Sequence, residues 1–167
     1  MDSTALTIRP AHPDEYEALG ALTAQAYLGD GHLDFGADDP YLAVLRDVAA
    51  RAAAAEVLVA AADGKALGCV TYVPSGGPMA DIARAGEAEI RMLAVSPEAR
   101  GRGVGETLVR ECVRRSRDAG RTGLVLSTQT SMRTAHRLYE RLGFRRTPER
   151  DWRPIETVPL LAYMLTL

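Results

Sequence analysis

The hydrophobic pattern switches between strict alternation and a three-to-four-residue spacing, and the switches mark the elements. Leu6-Thr7-Ile8-Arg9 alternates and stops at Pro10, which predicts a short strand. Tyr16, Leu19, Leu22, Ala26 and Tyr27 then recur at helical spacing. Pro13, Asp14 and Glu15 stand just ahead of them, a helix-start composition: proline lacks only an N–H that would be unpaired there, and the acids meet the positive end of the helix. A polar loop from Gly29 to Pro40 leads to a second predicted helix, from about 41 to 55. Apolar runs at 57–61 and 66–73 flank Asp63-Gly64, a hairpin signal. Pro74-Ser75-Gly76-Gly77-Pro78 opens a long loop, and a strand is predicted over 87–95, ended by Ser96-Pro97. Val104, Leu108, Val109, Cys112 and Val113 form the apolar face of a helix that stops at Gly120. A short strand at 124–126 follows. Ala135, Leu138 and Leu142 then mark a helix stopped by Gly143, and 144–147 and 160–165 close the chain as strands.

The order β-α-α-β-β-β-α-β-α-β-β places hairpin strands first and crossovers after them. It predicts an α/β (α+β) fold: a mixed, largely antiparallel central sheet with helices on both faces, in one domain over 1–167. Composition changes little in this picture. Hydrophobic residues are 47 % and charged residues 25 % of 167, which suits a chain that buries a core and excludes a disordered one. No apolar run approaches the roughly 20 residues of a membrane span, and Met1-Asp2-Ser3-Thr4 lacks the basic start of a secretory signal. Cys69 and Cys112 sit inside apolar patterns and read as buried free thiols, so a cytoplasmic location is expected.

Charge adds an asymmetry. Residues 1–90 carry 14 acidic and 5 basic side chains, whereas 91–167 carry 8 and 15. The basic half suits an anionic ligand or is a solvated surface. Arg110, Arg114, Arg117 and Arg121 stripe one predicted helix, and Arg133, Arg137 and Arg141 another. With 5 % aromatics and no nucleic-acid-binding motif, these stripes read as solvated helix faces rather than a nucleic-acid surface. His12, His32 and His136 are scattered, without metal-ligand spacing, so no metal is expected.

The informative stretch runs from Glu89 to Gly105. A strand enters a turn with glycines at 101, 103 and 105, and that turn opens a helix. Glycines let successive N–H groups point into one concavity, and the first helical turn adds orphan N–H groups and the positive dipole end. Arg100 and Arg102 add charge, so the loop suits a phosphate or pyrophosphate. Two stronger phosphate motifs are excluded. Position 106 is Glu where a dinucleotide fingerprint needs Gly, and the only lysine, Lys65, lies outside any Walker loop.

Arg100-x-x-Gly103-x-Gly105 resembles the [Q/R]-x-x-G-x-[G/A] signature of the Gcn5-related N-acetyltransferases. The resemblance extends upstream to Glu89-Ile90 and Leu93-Ala94-Val95, and downstream to Ala135-x-x-Leu138-Tyr139-Glu140-x-x-Gly143-Phe144, covering about residues 4–147. It implies acetyl-CoA as co-substrate and a small-molecule or peptide amine as acceptor, attacking directly in a ternary complex. It implies that Leu93, Ala94 and Val95 offer backbone groups to the pantetheine arm. Arg100, Gly101, Arg102, Gly103, Val104, Gly105 and Glu106 would hold the pyrophosphate. Tyr139 falls where the family keeps a general acid for the departing thiolate, and Glu89 where one branch keeps the base that deprotonates the amine. Glu87 shares the strand face of Glu89 and is an alternative. The sequence departs from the family pattern at Met132, where an Asn is frequent. Ser131, Thr130 and Gln129 are the alternatives for its contact.

The resemblance also implies an acceptor site between the first two helices and the strands facing the thioester. There Asp30, Asp34, Asp38 and Asp39 accompany Tyr27 and Phe35, which would favour a cationic amine unless the segment is only a solvated loop. A homodimer fits the family. The rival reading is a non-catalytic acyl-CoA sensor. No nucleic-acid or membrane partner is expected.

Overall fold

In the computed structural model, which describes residues 5–33 and 35–167, the chain begins with β1 (Thr7–Pro10). A 3-10 turn at Pro13–Glu15 leads into α1 (Tyr16–Gly29). Then come α2 (Tyr41–Arg46) and α3 (Val48–Ala54). β2 (Glu56–Ala62) turns through Asp63 and Gly64, at φ 52° and 74°, into β3 (Lys65–Val73). These positive φ angles are those of the tight hairpin turn that the Asp-Gly pair predicts. β4 (Glu87–Val95), α4 (Val104–Asp118), β5 (Gly123–Gln129) and α5 (Arg133–Arg141) follow. β6 (Arg145–Arg146), β7 (Trp152–Ile155) and β8 (Val158–Thr166) close the chain.

The sheet runs β1-β2-β3-β4-β5-β8-β6, with β7 also paired to β8. Every pairing is antiparallel except β4 with β5, where α4 supplies the crossover that parallel neighbours require. This is the mixed, mostly antiparallel sheet that the pattern predicts. Helices cover both faces. Leu58, Val70, Tyr72, Ile90, Leu124 and Leu126 pack under Val104, Leu108 and Cys112 of α4 and Tyr139 of α5. On the other face Val57, Val59, Cys69 and Ala94 meet Leu19 and Ala26 of α1 and Val48 of α3. Neighbouring residues of β2 thus go into opposite layers, which is why its sequence after Glu56 is continuously apolar rather than alternating. Both cysteines are free and buried. Among the described residues no helix is long and apolar enough to cross a membrane.

A split between β4 and β5 positions the site. Their pairs join residues 87–90 to 123–126 and end there, although β4 continues to Val95 and β5 to Gln129. The cause is a bulge. Cys69 faces Ala94 and Thr71 faces Arg91, so Met92 and Leu93 together oppose Val70. Met92 takes φ 54°, a conformation unfavourable to a side-chain-bearing residue. Its side chain is buried with Ala24, Leu42 and Leu45, and that packing holds the kink.

Two sequence expectations are corrected. The single helix over 41–55 is two helices, because Asp47 leaves helical geometry at ψ 69° and its carboxylate caps α3 by accepting from Ala50 N–H at 3.1 Å. β7 was not predicted at all: Pro154 breaks its strand pattern, which an edge strand tolerates.

Candidate active site

Two cavities open at the split. The first, a groove of about 650 Å³, has β4 residues Leu93, Ala94 and Val95 on one side. The 100–105 turn and the start of α4 contribute Arg100, Gly101, Gly103, Val104, Gly105 and Glu106. Nine of the ten sequence-predicted cofactor positions therefore gather in one place. Arg102 is the exception: it is exposed and does not line the groove. Gly103 caps α4 at φ 75°, ψ 17°, the left-handed region that favours glycine. The first hydrogen bond of α4 runs from Thr107 N–H to Gly103 C=O. The N–H groups of Val104, Gly105 and Glu106 consequently have no partner within the helix and, with the dipole, favour an anion.

The opposite wall comes from α5, and here the arginine stripe acquires a meaning. Arg133, Arg137 and Arg141 all line the groove. Arg141 pairs with Glu106 at 2.8 Å, whereas Arg133 and Arg137 hold no ion pair among the described residues. Arg100 forms a two-bond ion pair with Asp30 of the α1 end, at 2.7 and 2.8 Å. Asp30, expected to face the acceptor, instead lies across the groove from the turn.

The second cavity, about 460 Å³, lies between the α1–α2 segment, β4, β5 and the β7–β8 hairpin. The two cavities share Tyr27, His32 and Met132, so they meet there. Of the residues expected around an acceptor, Tyr27, Phe35 and Asp39 line the second cavity. Asp38 does not, and Asp34 lies outside the described residues.

Glu89 and Glu87 separate sharply. Both point away from the α4 layer, but only Glu89 lines the second cavity. Its carboxylate is fully buried and accepts the N–H groups of Asp81, Ile82 and Ala83 at 2.9–3.2 Å. Burial pushes this carboxyl above the ordinary carboxylate range, although the N–H bonds pull the other way. Oε2 takes only the longest of these bonds, 3.2 Å from Asp81 N–H, and so keeps room for another donor. Glu87 instead holds Arg150 at 2.8 and 3.0 Å and accepts Arg84 N–H at 2.8 Å. Burial raises this carboxyl, but the Arg150 pair and the N–H bond outweigh it and hold it low.

Tyr139 is buried beside Phe144 and Tyr163, with ring centroids 5.7 and 6.1 Å away. It lines neither cavity. Burial raises its hydroxyl pKa, as it does for Tyr27. His32 is half-buried at the junction, its Nδ1 2.9 Å from Ser131 Oγ. Burial lowers its pKa and Arg100 adds to that, while Asp30 opposes them.

Residues 20–144 match the family model described as acetyltransferase (GNAT) family. The chain belongs to the GNAT acetyltransferase family. An uncharacterized N-acetyltransferase of Schizosaccharomyces pombe is 39 % identical over 95 residues, which take in 57 % of this chain and 54 % of that protein. The chain spans about half the length of the curated relatives it matches. A GNAT structure from Kribbella flavida is 26 % identical with a TM-score of 0.71, covering 98 % of both chains. The Salmonella typhimurium protein yncA, solved with its cofactor acetyl-CoA, superposes at TM-score 0.66 and 22 % identity, over 98 % of this chain and 94 % of that one.

Against the GNAT signature, sequence reasoning missed His32 and the direction of the α5 arginines. His32 has no local motif, and its bond to Ser131, 99 positions along the chain, ties it to the junction. The α5 arginines had a signal in their spacing, but nothing in the chain says which way that helix face points. At Met132, where the family pattern has Asn, the thioether lines both cavities and Ser131 reaches His32.

Proposed function

We propose that the chain transfers an acetyl group from acetyl-CoA to a primary amine, which attacks directly while both substrates are bound. One observation carries this reading: the groove and the second cavity meet at the β4–β5 split, so a thioester in one and an amine in the other would face each other. Bringing the reactants together removes much of the entropic barrier to such a transfer.

The groove suits the co-substrate. The free N–H groups of 104–106 and the uncommitted Arg133 and Arg137 match its phosphates. The unpaired edge of β4 at 93–95 offers backbone groups to its arm. Acetyl-CoA supplies the activated acyl group, and the protein positions it. An alkyl ammonium has a pKa near ~10.4 and must lose a proton before it attacks. We assign that proton to Glu89, through a water on Oε2, and set Glu87 aside because Arg150 occupies it. Tyr139, by its place in the motif, donates to the leaving sulfur. Tyr27 is a second candidate because its ring lines both cavities. Burial keeps both hydroxyls protonated at neutral pH.

The test is thiol release from acetyl-CoA with a panel of amines, at several concentrations of each substrate. Intersecting double-reciprocal lines are expected. Parallel lines would point to an acyl-enzyme, and no release with any amine would favour the non-catalytic sensor.

A further inference from the structure

Three large hydrophobic side chains stand exposed among the described residues: Phe35 at 62 %, Val44 at 45 % and Ile155 at 53 %. One such residue on a surface is ordinary. Here all three, from the α1–α2 loop, α2 and β7, line the same cavity, the one assigned above to the acceptor. Tyr41, Met92, Trp152 and Leu160 continue the apolar lining. The volume, about 460 Å³, lies in the range of about 300–1,000 Å³ typical of small-molecule sites.

The charged groups narrow the choice. Asp39, Asp81 and Glu89 line the cavity. Arg91 is the one arginine or lysine among the described lining residues. It is held by Asp81 at 3.1 Å and donates to the Met79 carbonyl at 3.0 Å. His32, its pKa lowered mainly by burial, adds little positive charge at neutral pH. These acids are themselves bonded, Asp39 to the Phe35 and Tyr41 N–H groups, Asp81 to Arg91 and Glu89 to three backbone N–H groups, but they outnumber the one arginine, so the described lining disfavours an entering carboxylate more than an ammonium.

We infer that the acceptor is a small primary amine with an aromatic or branched apolar body and no acid group. The apolar body covers the Phe35–Val44–Ile155 rim, and the amine points inward to the Tyr27–His32 junction. That this ligand is also acetylated rests on the function proposed above.

Trp152 is the only tryptophan of the chain and lines this cavity, its Nε1 bonded to Ser127 Oγ at 2.9 Å. Its emission therefore reports occupancy without any turnover. We would titrate 2-phenylethylamine, phenylalanine and ethanolamine into the protein and into Phe35→Ser and Ile155→Ser variants. Half-saturation by 2-phenylethylamine is expected at least tenfold below the other two, and each exposed-site variant should raise it several-fold with the melting temperature kept. Equal half-saturation for the three compounds overturns the inference. So does a dimer that the variants break while 2-phenylethylamine binding persists, since the rim is then a subunit contact. Tight binding of 2-phenylethylamine without thiol release upholds the site and removes the acetyl transfer.

Discussion

Replacing Arg150 by methionine is expected to destabilise the protein by about 3–5 kcal/mol, the range for removing one partner of a buried ion pair. The guanidinium is almost fully buried, gives Glu87 two bonds at 2.8 and 3.0 Å, and donates to the Ile82 carbonyl. Methionine keeps the apolar stem and removes these donations, along with the long one to Met164 Sδ. Glu87 Oε1 then retains only the Arg84 N–H, and Oε2 retains nothing that the wild type supplies. At about 2–4 °C per kcal/mol for a chain of this size, the melting temperature should fall by roughly 6–20 °C. Adding Glu87→Gln removes the stranded charge and should recover much of the loss. The pH dependence has a definite sign. Burial raises the Glu87 carboxyl, but Arg150 and the Arg84 N–H hold it below its ordinary value. Its contribution is therefore present above the ordinary carboxylate range and disappears as pH falls through the folded value. Calorimetric melts of wild type and Arg150→Met should differ most at neutral pH and converge in acid. A loss under about 1 kcal/mol at pH 7, or a gap that widens in acid, would refute the reasoning.

Gly103→Asp should weaken acetyl-CoA binding at least tenfold by calorimetry while the protein still melts cooperatively. A Cβ there meets no atom within 4 Å, so strain at φ 75° and the new carboxylate beside the helix start are the changes, and wild-type affinity would exclude this turn from the phosphate site. Tyr139→Phe should lower kcat at least tenfold with little change in cofactor affinity. If the loss appears in Tyr27→Phe instead, the donor is the hydroxyl on the cavity wall. Glu89→Gln should lower kcat/KM by about 10²–10⁴. Since burial raises this carboxyl, the wild-type acid limb should lie above the usual glutamate range, and an unaltered profile in the variant would release Glu89 from the role.

How much of this was legible in the chain depends on the distance over which each signal acts. The 87–95 strand, the Asp63-Gly64 hairpin, the glycine turn and α4 rest on neighbouring residues and were readable. So was the gathering of 93–95 with 100–106, Arg102 excepted, since strand, turn and helix are contiguous. The break at Asp47 was not, because a short acidic residue inside an apolar period is compatible with either one helix or a capped pair. Trp152–Ile155 owes its strand geometry to β8, and no local pattern announces it. The choice between Glu87 and Glu89 needed Arg150, some sixty positions away, and the direction of the α5 arginines needed the groove itself.

The bulge at Met92 has a mechanical consequence. Strands β1–β4 and β5–β8 form two half-sheets joined in the sheet plane by the pairs of residues 87–90 with 123–126. Beyond that waist the two halves diverge like the arms of a clothes-peg, with α4 packed across the seam as its spring. Backbone amides on the diverging arms lack the β4–β5 partner that a continuous sheet would give them, so their exchange with solvent measures how wide the arms stand. If the proposed co-substrate lies along β4, it completes the missing ladder, and the stiffness of a four-residue seam then sets how well that part of it is held, alongside the side chains of the groove.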